Sequence, residues 1–159
     1  MEEAKKVKDS ELVLSQLMQP EHANNLGNIH GGVLMKLMDD AGAMCATRHA
    51  REPAVTVAVD SLTFLEPVHI GDLVTFSARL TYVGRTSMET EVVVEAEEIL
   101  TGRRRITNRA YIVYVALNGE GRPVEVPRLS LESDEERERW QQGEMRQRER
   151  LGRKVQQSL

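Results

Sequence analysis

From Pro53 to Gly121 the chain keeps a period of two that only turn signals interrupt. "AVTVAVDSLTFLEP" alternates valines with small or polar residues, the pattern of a half-buried strand. "IGD" punctuates it, and "LVTFSARLTYV" places Val74, Phe76, Ala78, Leu80 and Tyr82 on one face. "GRTS" marks a turn before "METEVVVEAEEIL", "TGRR" another before "RITNRAYIVYVAL", and "NGEG" ends the run with the Asn-Gly hairpin signal. Strands joined by tight turns lie antiparallel. Ahead of them stand a short extended segment, "ELVLSQLMQ", and a single helical stretch from about Gly32 to about His49. One helix cannot cover both faces of such a sheet. The expected fold is α+β, a long central helix wrapped by a curved antiparallel sheet of about five strands. Apolar surface and sheet edges remain, and oligomerisation would cover them.

At 159 residues the chain suits one domain, read as residues 10–128, with a helical extension over 129–159. The formal net charge of -4 gives no general attraction to nucleic acid or to an anionic membrane. Neither is expected as a partner. The single cysteine, Cys45, excludes an internal disulfide and a cysteine-rich zinc site. His22, His49 and His69 show no metal-ligand spacing, so no metal is assigned. The charged start "MEEAKKVKDS" reads as neither a secretory signal nor an anchor, and a cytoplasmic location is expected. In the extension, Ser133 and Glu136 have capping-box spacing, and Glu135–Arg139 and Glu144–Arg148 are i,i+4 pairs. A solvated helix accounts for this pattern, while Trp140 argues for some docking.

Two adjacent carboxylates interrupt the central helix. On a helical wheel Leu34, Leu37, Met38, Ala41, Met44 and Cys45 form an apolar stripe. Asp40 falls at its edge beside Lys36, where a surface ion pair explains it. Asp39 falls opposite, among Met35, Gly42, Ala43 and Ala46. That face is small, which lets another backbone come close, and it is expected to meet a second subunit. A carboxylate there would be partly desolvated, the condition that makes it a better base. Gly31 and Gly32 open the helix with unpaired N–H groups that can stabilise an oxyanion. Asp39 lies about two turns further in, too far to share an oxyanion with them unless the site is built across a dimer.

The segments "ANNLGNIHGGVLMKLMDDAGA", "VTVAVDSLTFLEPVHIGDLV" and "VGRTSMETEVVVEA" resemble, in this order, the acyl-CoA thioesterases of the hotdog superfamily, namely the bacterial short-chain and brain-type members. The resemblance covers about Leu12 to Pro127. It implies an active site between two hotdog units, where Asn24 of one faces Asp39 of the other and the amide of Gly32 polarises the thioester carbonyl. Relatives can carry phenylalanine where His30 stands, so His30 is read as structural. The resemblance places coenzyme A near the turn of Arg85, Thr86 and Ser87, whose guanidinium and hydroxyls suit phosphate. Arg103, Arg104 and Arg105 form a second candidate patch.

The implied activity is hydrolysis of acyl-CoA to a free acid and CoA, with no cofactor beyond the substrate itself. Asp39 would serve as general base or as nucleophile. The resemblance also brings the class term serine esterase and a homo-oligomer, a dimer at least and a hexamer as a trimer of dimers. Two rival readings remain on the same fold. One is a non-catalytic acyl-CoA-binding sensor, although no helix-turn-helix candidate lies outside the hotdog unit. The other is a hydratase, which would use a histidine that no position here supplies convincingly.

Overall fold

The computed structural model describes residues 3–157, so Met1, Glu2 and the last two residues of the extension lie outside it. In chain order the elements are β1 (Lys5–Lys6), β2 (Leu12–Leu17), α1 (Gly31–Ala50), β3 (Ala54–Phe64), β4 (Asp72–Val83), β5 (Ser87–Glu98), β6 (Arg103–Ala116), β7 (Leu129–Ser130) and α2 (Asp134–Gln157). Five strands form one antiparallel sheet in the order β2-β4-β5-β6-β3, and β1 pairs in parallel with β7. This is the expected hotdog arrangement. Val74, Phe76 and Ala78 of β4, Val92 and Val94 of β5, and Ala110 and Ile112 of β6 bury one face of the sheet against α1. Each fully buried aliphatic side chain there contributes about 1.5–3 kcal/mol relative to exposure.

The buried face of α1 is rotated from the expected stripe. Leu34, Met38, Ala41 and Cys45 are buried as anticipated, but so are Gly42, Ala46 and His49, while Met44 stays 45% exposed. Gly42 and Ala46 of the small face therefore pack on the protein's own sheet, while Met35 of that face stays exposed. Small residues let the helix axis approach the strands, and the His49 ring finds a polar partner at 2.8 Å, the carbonyl of Pro127. Arg51 closes the helix in the left-handed region at φ 57°, with its N–H on the Thr47 carbonyl.

A second departure lies in β4. Its register against β5 shifts between Leu80 and Tyr82, and the extra residue of this bulge reverses the alternation beyond it. Tyr82 thus leaves the face of Val74, Phe76, Ala78 and Leu80. Its ring centroid lies 4.9 Å from that of Trp140 on α2.

Helix α2 docks on the sheet face away from α1. Arg146 donates twice to the buried carboxylate of Glu89, at 3.0 and 2.7 Å, and its guanidinium lies 3.7 Å over the Tyr111 ring. Arg150 pairs with Asp60 of β3. The bland reading of a solvated helix is corrected here: sheet carboxylates need cationic partners once the helix covers them. The surface pairs Glu135–Arg139 and Glu144–Arg148 form at 3.6 and 3.0 Å. Ser133 Oγ accepts from the Glu136 N–H, while the Glu136 carboxylate accepts from the Glu132 N–H rather than from that of Ser133.

Candidate active site

The loop "NNLGN" is built around one side chain. Asn24 Oδ1 accepts from the N–H groups of Leu26 and Asn28 at 2.9 and 3.2 Å. The chain reverses through Gly27 at φ 83°, which glycine adopts without penalty. Backbone N–H groups can bond only the oxygen of the amide, so the Nδ2 hydrogens point elsewhere. They donate to none of the described groups. Asn24 lines a cavity of about 310 Å³ with Gly31, Leu34, Phe64 and Val68.

His30 caps α1, its Nδ1 accepting from the Gly32 N–H at 3.0 Å, which bears out the structural reading of this histidine. The expectation that Gly32 offers a free amide is corrected by the same bond. Within the described residues the Gly31 N–H, first in the helix, has no acceptor. Using the Gly32 amide on a ligand requires the imidazole to turn away.

Asp39 is half-buried and lines a second cavity, of about 450 Å³, with Gly32, Met35, Met38, Thr56, Val59, Leu62, Ala110 and Ile112. Thr56 Oγ1 donates to Asp39 Oδ1 at 2.7 Å. The Tyr114 hydroxyl lies 3.0 Å from both that oxygen and the Asp39 carbonyl. No described donor reaches Oδ2. Asp40 pairs with Lys36 at 3.0 Å on the surface, as its spacing implied. Gly32 and Asp39 share this cavity, yet seven residues of helix separate them by about 10 Å, so one small reacting group cannot touch both. Asn24 lines a different cavity. In a single chain the asparagine and the aspartate are not brought together.

The sequence reading missed Thr56. In "AVTVAVDS" it is one more β-branched residue of an alternating strand, and no local signal marks it. Cys45 is no alternative nucleophile, because burial pushes its thiol up to about 11, where little thiolate exists at neutral pH. No serine lines the cavity of Asp39, so the class term serine esterase finds no support. A larger hollow of about 720 Å³ lies on the other face of the sheet, against Thr75, Arg79 and Glu95, away from these groups.

Arg85 stands at the β4–β5 turn, exposed, and its one ion pair is a 3.7 Å contact with the equally exposed Glu125. The carbonyls of Arg85 and Thr86 accept from Val126 and Ala116, and the Ser87 carbonyl accepts from Gly84, which fixes the turn while the guanidinium stays exposed. Neither Arg85 nor its two hydroxyl neighbours lines the Asp39 cavity. In the second arginine patch the exposed Arg104 pairs with Glu95 and Glu97 and the exposed Arg103 with Glu66, while the largely covered Arg105 holds Asp72 and Glu66. These cations neutralise the protein's own acids.

Residues 26–102 match the family model described as the thioesterase superfamily. An uncharacterized acyl-CoA thioester hydrolase of Bacillus subtilis is 38% identical over 129 residues, covering 81% of this chain and 75% of the relative. The cytosolic acyl coenzyme A thioester hydrolase of Rattus norvegicus is 37% identical over 86% of this chain, and the chain spans only 36% of that protein's length. Among solved structures, the acyl-CoA hydrolase of Staphylococcus aureus, in complex with butyryl coenzyme A, coenzyme A and coenzyme A disulfide, superposes with a TM-score of 0.89 at 28% identity, covering 98% and 94% of the two chains. A hexameric acyl-CoA thioesterase in its apo form superposes at 0.91 with 31% identity, covering 95% and 97%. The staphylococcal enzyme has also been solved as separate alanine variants of an asparagine, an aspartate and a threonine. Fold, loop and helix thus carry the likeness together with the sequence, and this chain belongs to the thioesterase superfamily.

Proposed function

We propose that the protein hydrolyses acyl-CoA thioesters to free carboxylic acids and CoA, at composite sites that each take Asp39 from one subunit and Asn24 from its partner. One observation carries this reading. The asparagine, aspartate and threonine replaced in the staphylococcal hydrolase stand fifteen and seventeen residues apart, as Asn24, Asp39 and Thr56 do here. Two of these residues already touch in a single chain. The third presents unused donor hydrogens from a loop that a partner can reach.

In this reading Oδ2 of Asp39 does the chemistry. It takes a proton from water as that water attacks the thioester carbonyl, and the adduct then breaks its C–S bond and expels CoA thiolate, which takes that proton. Or it attacks the carbonyl itself, expelling CoA thiolate to give a mixed anhydride that water opens to the two acids. Both routes need an oxygen free of other donors and held in place. The developing oxyanion would be met by Asn24 Nδ2 and the helix-start amides beside it, the free Gly31 N–H and the Gly32 N–H once His30 turns. The apolar walls, Met35, Met38, Val59, Leu62 and Ile112, would take the acyl chain. The assembly is read as a homo-oligomer, with a hexamer built as three dimers. Exposed Val55, Val57 and Val59 on the edge strand β3 favour covering by another copy. A cytoplasmic location accompanies the reading, in line with the name of the cytosolic rat relative.

Thiol release from a panel of acyl-CoAs tests the activity directly. Steady release of free CoA is expected. Binding without release would instead favour the acyl-CoA sensor.

Arg85 is assigned to the CoA phosphates. Arg85→Ala is expected to raise KM for CoA esters by about fivefold, the scale of one exposed charge contact, with kcat nearly unchanged because that contact is the same in ground and transition states. On a pantetheine thioester, which lacks the nucleotide, the variant should match the parent protein. Equal impairment on both substrates would remove Arg85 from the phosphate site.

A further inference from the structure

We propose that Tyr114 is a positioning residue for Asp39, admitted to its place by Gly42, and that with Thr56 it pins one carboxylate oxygen so that the other faces the cavity. The proposal rests on the reading of Asp39 as the reacting carboxylate.

It begins with a glycine in mid-helix. Gly42 costs about 1 kcal/mol relative to alanine in a helix interior, and the helix keeps it at a buried position. A Cβ there would lie 2.4 Å from the Tyr114 hydroxyl oxygen, 2.9 Å from Thr90 Oγ1 and 3.1 Å from Tyr114 Cε2. Only glycine leaves room for the phenol. The Tyr114 ring is completely buried, and a hydroxyl taken that deep needs an acceptor. It meets the side-chain and carbonyl oxygens of Asp39, with the Thr90 hydroxyl beside it.

Topology brings the second donor to the same atom. Thr56 and Tyr114 are register partners across the β3–β6 ladder, and the register shifts immediately after Thr56. Such an irregularity re-aims side chains along the strand. One cross-strand pair therefore presents two hydroxyls to Oδ1.

Tyr114 acts by orientation and does not exchange a proton. Burial foremost, and then the negative charge of Asp39, push its phenol well above the ordinary tyrosine range. It stays a donor at any working pH. Nor does it line the cavity of Asp39.

The test compares Asp39→Asn, Tyr114→Phe, Thr56→Val and the Thr56→Val/Tyr114→Phe double variant on one acyl-CoA, each with a thermal melt. Losing one hydrogen bond to a carboxylate should lower kcat about tenfold or more and leave KM within about twofold. The double variant should lose more than the product of the single losses, since the last donor on Oδ1 goes with it. If Tyr114→Phe fails to fold, Gly42→Ala displaces the same hydroxyl from the helix side and should show the same kcat loss. An inactive Asp39→Asn beside a Tyr114→Phe enzyme of parental kcat overturns the proposal alone. Strictly multiplicative losses in the double variant, or losses that appear in KM, also overturn it. Full activity in Asp39→Asn removes the reading of Asp39 and the proposal with it.

Discussion

Asp39→Asn is expected to fold normally and to hydrolyse acyl-CoA at least about 100-fold more slowly, the scale of a missing general base. The amide oxygen of asparagine can still accept from Thr56 and Tyr114, the two donors that now hold Oδ1. Helix packing therefore survives, and the melting temperature should move little. What disappears is the anionic oxygen that faces the cavity. Asp40→Asn is the internal control. Its carboxylate meets only Lys36 on the surface, a pair of about 0.3–0.5 kcal/mol, so its rate should stay near that of the parent protein. Comparable losses at the two positions, or none at Asp39, would contradict the assignment.

Mixing two inactive variants should restore activity. If Asn24 and Asp39 meet only across a two-fold interface, each dimer holds two composite sites built from both chains. Asn24→Asp suits this experiment better than alanine. An aspartate keeps the oxygen that accepts from Leu26 and Asn28 and puts a second, negatively charged oxygen where the donor hydrogens were. Paired with Asp39→Asn, each mixed dimer has one doubly altered site and one intact site. Random equal mixing makes about half the dimers mixed, so roughly a quarter of all sites should be native. The measurement is thioesterase rate per subunit before and after co-refolding. Recovery toward a quarter of the parent rate supports the shared site. No recovery, with mixed dimers demonstrated by mass, rules it out.

Much of the frame was legible because its causes are local. The period-two runs became β3 to β6 at nearly their quoted bounds, since alternating apolar residues can bury one side only as a strand. Asp40 announced its surface pair through the four-residue spacing to Lys36. His30 was read as structural through the resemblance, and its bond to the Gly32 N–H came only with the fold. The site was legible in a different way. Asn24 and Asp39 were picked out by resemblance, and nothing in their own neighbours distinguishes them from a loop amide and a helix-surface acid.

Errors arose wherever a distant residue decided the outcome. Gly42 on the small face of α1 was not read as part of the chain's own core because helical spacing says nothing of Tyr114, which lies 75 residues beyond Asp39 in the chain and fills the space above Gly42. Tyr82 was placed on the wrong side by counting through a bulge that no residue type signals. Helix α2 read as solvated because its arginines look the same whether they meet water or the buried Glu89.

The sequence by itself determined the inventory: one apolar helix, a run of antiparallel strands, and an acid on the small face of that helix. Those follow from side-chain periodicity and turn chemistry, which act over a few residues. Strand order was decided by the tertiary structure, because β3 passes over its neighbours in the chain to pair with β6. That crossing sets Thr56 beside Tyr114 and both against Asp39. Hydrogen bonds act over about 3 Å, so a catalytic carboxylate is oriented only after the chain has brought its donors together.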